Sequence, residues 1–231
     1  MTLKLGYIAL SLLMTVILMA FAFKAMRQDD SKLFKKWVVI LLGWHLYIFG
    51  LSLTGFIATL DFPPRFVLLT ILPAFIFIGW SVSKIKGANW LNHIPPHWLI
   101  FYQIFRIGIE TLFVFSVYQG ILHSNVTLHG YNYDMVYAAT ALLIGWQVWR
   151  GNLKLGLIWN YLGLAVIAFI IFLFQTTIYF PEMYGSIEVF PVDFFTYPYI
   201  LVAAFLMPSA VFVHVVSIIQ LRQKLSQNKS S

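Results

Sequence analysis

The sequence has no cysteine and little charge, with charged residues making up 10% of 231 residues and only eight of them acidic. The missing cysteine excludes disulfides, thiolate nucleophiles, iron–sulfur clusters and cysteine-based zinc sites. No phosphate-binding glycine loop, catalytic triad, HExxH motif or nucleic-acid motif is present. No lysine falls within residues 198–221, which removes a retinal Schiff base in a last helix. The same stretch has Met207-Pro208-Ser209 without NPxxY, and no cysteines exist for an external disulfide. Rhodopsin-like and G-protein-coupled receptor readings therefore fail on chemistry.

What the chain does contain is apolar residues, at 61%, with a mean hydropathy of +0.84. Soluble domains carry about a quarter charged residues, so this composition is that of an integral membrane protein. Runs of about 17–25 apolar residues predict an all-α polytopic membrane helical bundle with seven transmembrane helices. The spans fall at 4–24, 36–60, 66–84, 98–120, 135–150, 155–180 and 198–221, with 135–150 the shortest. They form one transmembrane domain, 1–225, and the polar residues 226–231 read as a disordered tail. The first run leads into basic residues instead of following them, so it reads as a retained helix and not a cleaved signal.

The net charge of +7 is one-sided. With the N-terminus outside, Lys24, Arg27, Lys32, Lys35, Lys36, Lys84, Lys86, Arg150, Lys154, Arg222, Lys224 and Lys229 are cytoplasmic, and only Lys4 and Arg65 are external. The positive-inside rule then predicts N-out and C-cytoplasmic, in an inner or plasma membrane. The expected partner is the lipid bilayer, with no nucleic acid. Pro73 and Pro208 lie inside spans and should kink or open them. The longest connection, FPEMYGSIEVFPVDFFTY from Phe180 to Tyr197, reads first as an interfacial aromatic belt and second as a lid.

Polar residues inside the spans are costly, roughly 2.5–3.5 kcal/mol for a charged group, and usually face the protein interior. Gln103, Arg106 and Glu110 share one helix face, where Arg106 and Glu110 can pair at i,i+4. Glu110 alone cannot occupy all five guanidinium donors, so further partners are expected. On the rise of a helix, Asn160, His214, Arg106, His45 and Glu110 lie roughly 8, 10, 12, 14 and 18 Å from the cytoplasmic edge. With Gln103 these residues form the candidate ligand-binding set of six, and each also has a plain reading as an interhelical packing or hydrogen-bonding group. In the outer loop, His123, His129, Asn132 and Asp134 match no familiar metal spacing, and Asp134 is placed as an N-cap. Asn125-Val126-Thr127 is a glycosylation sequon, without meaning in a bacterial source.

Gln103-Ile104-Phe105-Arg106 with Glu110, Gly130-Tyr131-Asn132-Tyr133-Asp134, Trp159-Asn160-Tyr161-Leu162-Gly163-Leu164, and the ending Pro208, His214, Gln220-Leu221 carry a likeness. Over roughly the last 130 residues, these phrases resemble a group of uncharacterised bacterial multi-pass membrane proteins. The resemblance implies a bacterial membrane protein and brings no activity.

Three functions compete. The first is binding or translocation of a small polar or anionic solute by a transporter or sensor, with Arg106 as charge anchor and Glu110 as counter-ion or proton carrier. The second is a haem-binding redox protein with His45 and His214 as axial metal ligands. The third is an intramembrane lipid-modifying enzyme using Glu110 or Asp134 as acid or base. No cofactor is expected under the first reading.

Overall fold

The computed structural model describes residues 2–26, 31–85, 89–185 and 188–230. Arg27 and Lys86, counted on the basic side, and the final Ser231 lie outside them, as does the side chain of Lys229. The described residues are helical and contain no strand. Six helices are long and apolar enough to cross a membrane. They are α1 (Thr2–Met26), α2 (Ser31–Leu53), α3 (Val67–Ile85), α4 (Pro96–Tyr118), α7 (Leu153–Tyr179) and α8 (Val202–Asn228). At about 1.5 Å per residue they run about 28–40 Å, enough for a hydrocarbon core of about 30 Å. Between α4 and α7 lie two shorter helices, α5 (Asp134–Ala139) and α6 (Ala141–Trp149).

The run expected at 135–150 as one helix is thus divided. At Thr140 both the backbone N–H and the hydroxyl turn back onto the Tyr137 carbonyl, tightening the chain there. Helix continues at the C-terminus through Ser230, where a disordered tail from Ser226 was expected.

α8 is the central element, with 67% of its apolar window buried against 11% for α2. It packs along α7, α4 and α3. Polar side chains lock the α4–α8 seam: the Tyr102 hydroxyl donates to Ser209 at 2.8 Å, and Gln103 Nε2 donates to the Ala210 carbonyl at 3.1 Å. At one end, Gln220 donates to the carbonyls of Leu91 and Ile94, and His93 Nδ1 donates to Ala25. The last turns of α1 and α8 and the α3–α4 connection therefore gather at one face of the bundle. Lys24 sits there over the Trp98 ring.

The local opening expected at Pro73 and Pro208 takes the form of two π-helical turns. Val67–Ile71 precedes Pro73 and Val202–Leu206 precedes Pro208, and the two turns pack on each other. Each proline lacks the N–H that would serve the carbonyl four residues back, Leu69 and Ala204 respectively. α2 supplies both missing donors. Trp44 Nε1 donates to Ala204 at 2.9 Å and the Tyr47 hydroxyl to Leu69 at 3.0 Å, from indole and phenol rings that pack at 5.3 Å. In hydrocarbon every backbone polar group must be satisfied internally, so this explains how a poorly buried α2 is held to the bundle. Trp44→Phe is expected to cost about 0.6–1.7 kcal/mol, the range for interhelical hydrogen bonds in membranes. Equilibrium unfolding in mixed micelles checks it, and Tyr47→Phe should act through the other proline turn.

Three aromatic residues of the Phe180–Tyr197 connection turn into the bundle, while Phe180, Met183 and Val189 are exposed. Phe190, Phe194 and Phe195 are among the most completely buried large side chains of the protein. Phe195 stacks on Phe66 at 4.3 Å and Phe194 meets Phe113 edge-on at 6.0 Å. Burying these three rings in the bundle makes residues 190–195 a plug over one end.

Candidate functional site

Arg106 does not pair with Glu110 along its own helix. Its Nε donates to Asp134 Oδ2 at 2.8 Å and its Nη2 to Oδ1, a two-pronged ion pair in which Arg106 is 2% and Asp134 9% exposed. A guanidinium fork matches a carboxylate edge better than a same-helix Glu can. Asp134 is therefore neither a surface acid nor the cap residue of α5. Tyr133 occupies the cap position and the Asp134 carboxylate points at α4.

The depth of this pair follows from α4. Glu110 and Arg106 lie about 12 and 18 Å below Tyr118 along the helix axis, at about 1.5 Å per residue. The connection 119–133 must descend that far for Asn132 to reach Glu110 and Asp134 to reach Arg106. It is folded for burial: Ile121, Leu122, Val126, Thr127 and Asn132 are all buried. The turn Gly130 N–H to Thr127 and Tyr131 N–H to Asn125 closes it. A Cβ on Gly130 would stand 2.5 Å from the Asn125 backbone, so only glycine permits that closure. Asn132 then donates to Glu110 Oε1 and to the Val126 carbonyl, while its Oδ1 accepts the Asp134 N–H at 3.0 Å. The sequon's Thr127 is fully buried and donates to Ser124.

A second chain of bonds leaves Arg106 toward α7 and α8. Arg106 Nη1 meets His214 Nε2 at 3.3 Å. A guanidinium only donates, so Nε2 accepts and Nδ1 carries the ring hydrogen. That hydrogen is donated to Asn160 Oδ1 at 2.8 Å, and Asn160 Nδ2 donates to Ser217 at 3.0 Å and Gly156 at 2.7 Å. Tyr137 lies under the guanidinium at 5.2 Å, stacks on Trp159 at 4.7 Å, and donates to the Trp159 carbonyl. Close approach of α7 to α8 needs Gly163, where a Cβ would come within 2.3 Å of the His214 ring and 2.5 Å of the Tyr137 hydroxyl.

Of the six residues expected in the site, Arg106, Asn160 and His214 are joined directly. Glu110 belongs to the same assembly through Asn132 and Asp134, and Gln103 lies on the same face bonded to Ala210. His45 stands apart: its Nδ1 donates to Leu41 at 2.9 Å, its Nε2 faces the Thr15 hydroxyl at 3.1 Å, and its ring meets Phe205. Both ring nitrogens of His214 are engaged within the protein. Among the described residues no three His, Cys, Asp or Glu side chains gather as a metal site. The outer-loop set separates likewise, with Asn132 and Asp134 drawn inward and His123 accepting the Asn125 N–H and facing Glu188.

Asp134, Asn132, Tyr137 and Ser217 are the partners that sequence reasoning did not place. A signal existed for the first. Residues 134–149 span about 24 Å as helix, too short for the bilayer, so one end of that run had to lie within it.

Above this network is a cavity of about 90 Å³. The bonded cluster of Arg106, Glu110, Asn132 and Asp134 borders it, with Gln175 also on its wall, but polar atoms form only a small part of its surface. The remainder is apolar, with Phe66, Ile71, Ile171, Phe174, Phe194 and Leu206 among its walls. It lies between α3 and α7, which both contribute walls yet make at most marginal contact with each other. Both π turns border it and the Phe194–Phe195 plug covers it. Glu110 is 2% exposed. Its Oε2 makes no hydrogen bond of normal geometry, although the Leu128 backbone N–H lies close enough to act on it. No known protein family, curated protein or solved structure matches the chain.

Proposed function

We propose that the protein is an integral membrane transporter or sensor that binds a small solute in the cavity bounded by α3, α4, α7 and α8. The observation that carries this reading is an apolar cavity walled by Phe and Ile with the buried cluster of Glu110, Asn132, Arg106 and Asp134 at its border. Ligand pockets are concave, mostly apolar and carry a few convergent polar groups. The solute is accordingly amphiphilic, with a short apolar body and one polar head. The weak α3–α7 seam gives it a route from the bilayer, and the two π turns supply the places where the walls can move.

In this reading the chain sits in an inner or plasma membrane, N-terminus out and C-terminus cytoplasmic. α5 and α6 form a seventh, partial crossing completed on the outer side by the inserted 119–133 segment.

The test is binding of 1-hexanol to purified protein in nanodiscs, read as a saturable rise in unfolding temperature. Ile171→Trp, which fills the cavity from α7, is expected to abolish the rise while the protein stays folded. An equal rise in both proteins would place the hexanol in the lipid or elsewhere and end this reading.

A further inference from the structure

We infer that the cavity selects a cationic head group, a primary ammonium on a short apolar chain, with Glu110 as its counter-charge. The inference rests on the solute-binding reading above and specifies its ligand. The charged side chains lining the cavity are Arg106, Glu110 and Asp134. One guanidinium thus faces two carboxylates. Arg106 is committed to Asp134 through both prongs of its fork, and its remaining bonded nitrogen reaches His214. His214 adds no charge, because it accepts from Arg106 at one nitrogen and donates to Asn160 from the other.

Glu110 is then the group left over. Its Oε1 accepts from the neutral amide of Asn132, a bond that disperses the charge without cancelling it. Oε2 has no hydrogen bond of normal geometry, only the Leu128 backbone N–H close enough to act on the carboxyl group, and the group is almost wholly buried. A buried carboxyl group whose nearby cation, Arg106, is bonded to another carboxylate favours an arriving cation or donor and disfavours an anion. Arg106, expected from sequence to anchor an anion, is already neutralised. An ammonium head supplies three donors and one positive charge in a small volume, and the Phe174, Phe113 and Phe194 rings beside the cavity accommodate both its chain and its charge.

The experiment compares hexylammonium, 1-hexanol and hexanoate as competing probes on nanodisc-embedded wild type and Glu110→Gln. Wild type is expected to bind hexylammonium about ten- to a hundredfold more tightly than 1-hexanol, the factor that accompanies a hydrogen bond to a charged group. Hexanoate should bind most weakly. Glu110→Gln keeps an acceptor for Asn132, so it should fold, and its affinity for hexylammonium should fall to no more than its affinity for 1-hexanol. Hexanoate binding as well as hexylammonium, or an ammonium preference that survives Glu110→Gln, overturns this inference and leaves the cavity reading standing. Failure of all three probes to bind overturns both.

Discussion

Asp134→Ala is expected to destabilise the protein by about 3–5 kcal/mol, the cost of leaving a buried charge without its partner. Arg106 is 2% exposed, and its other contacts are a neutral imidazole and a tyrosine ring, neither of which replaces a carboxylate. Two consequences accompany the loss. Asn132, and Asp134 directly after it, tie the inner end of the 119–133 segment to α4, so the variant should expose amides there to hydrogen exchange. The double variant Arg106→Met with Asp134→Leu should be less destabilised than Asp134→Ala, because replacing both members removes the unpaired charge. Denaturation in mixed micelles measures all three proteins, and equal losses in the single and double variants would show that the pair is not where the cost arises.

Gly163→Ala is expected to cost about 1–3 kcal/mol or somewhat more, through overpacking by a single methyl group. The added carbon would meet the His214 ring at 2.3 and 2.6 Å and the Tyr137 hydroxyl at 2.5 Å. An imidazole held at both nitrogens and a phenol held by the Trp159 carbonyl cannot swing aside without breaking those bonds. The cost should shrink markedly in a His214→Ala background, since neighbouring sites that share a clash are non-additive. Additive losses across that pair would contradict the close α7–α8 approach. Thermal unfolding of the two single variants and the double variant decides it.

The sequence carried the long helices plainly, because an unbroken apolar run of 20 or more residues has few other uses. It also carried the membership of Arg106, Asn160 and His214, through their shared depth on separate spans. The partnership was not legible. Arg106 and Glu110 stand at the ideal i,i+4 spacing, and nothing local reveals that a carboxylate 28 residues away fits the guanidinium fork better. Asp134 resembled an external cap because it followed a polar stretch, yet that stretch satisfies its own backbone and enters the bundle. The aromatic 180–197 connection misled for a related reason: composition gives the same signal for a ring at a headgroup and a ring in a core. Pro73 and Pro208 announced weak points, but their rescue by Trp44 and Tyr47 depends on how α2 lies against two other helices.

The central claim is that Arg106 belongs to Asp134, which leaves Glu110 to the cavity. A pair of double-mutant cycles in one membrane-mimetic tests it most directly, one coupling Arg106 with Asp134 and the other coupling Arg106 with Glu110. The account predicts a clearly larger coupling energy for Arg106 with Asp134, on the order of 1.5 kcal/mol or more as for close charge pairs elsewhere. A larger coupling between Arg106 and Glu110 would contradict it.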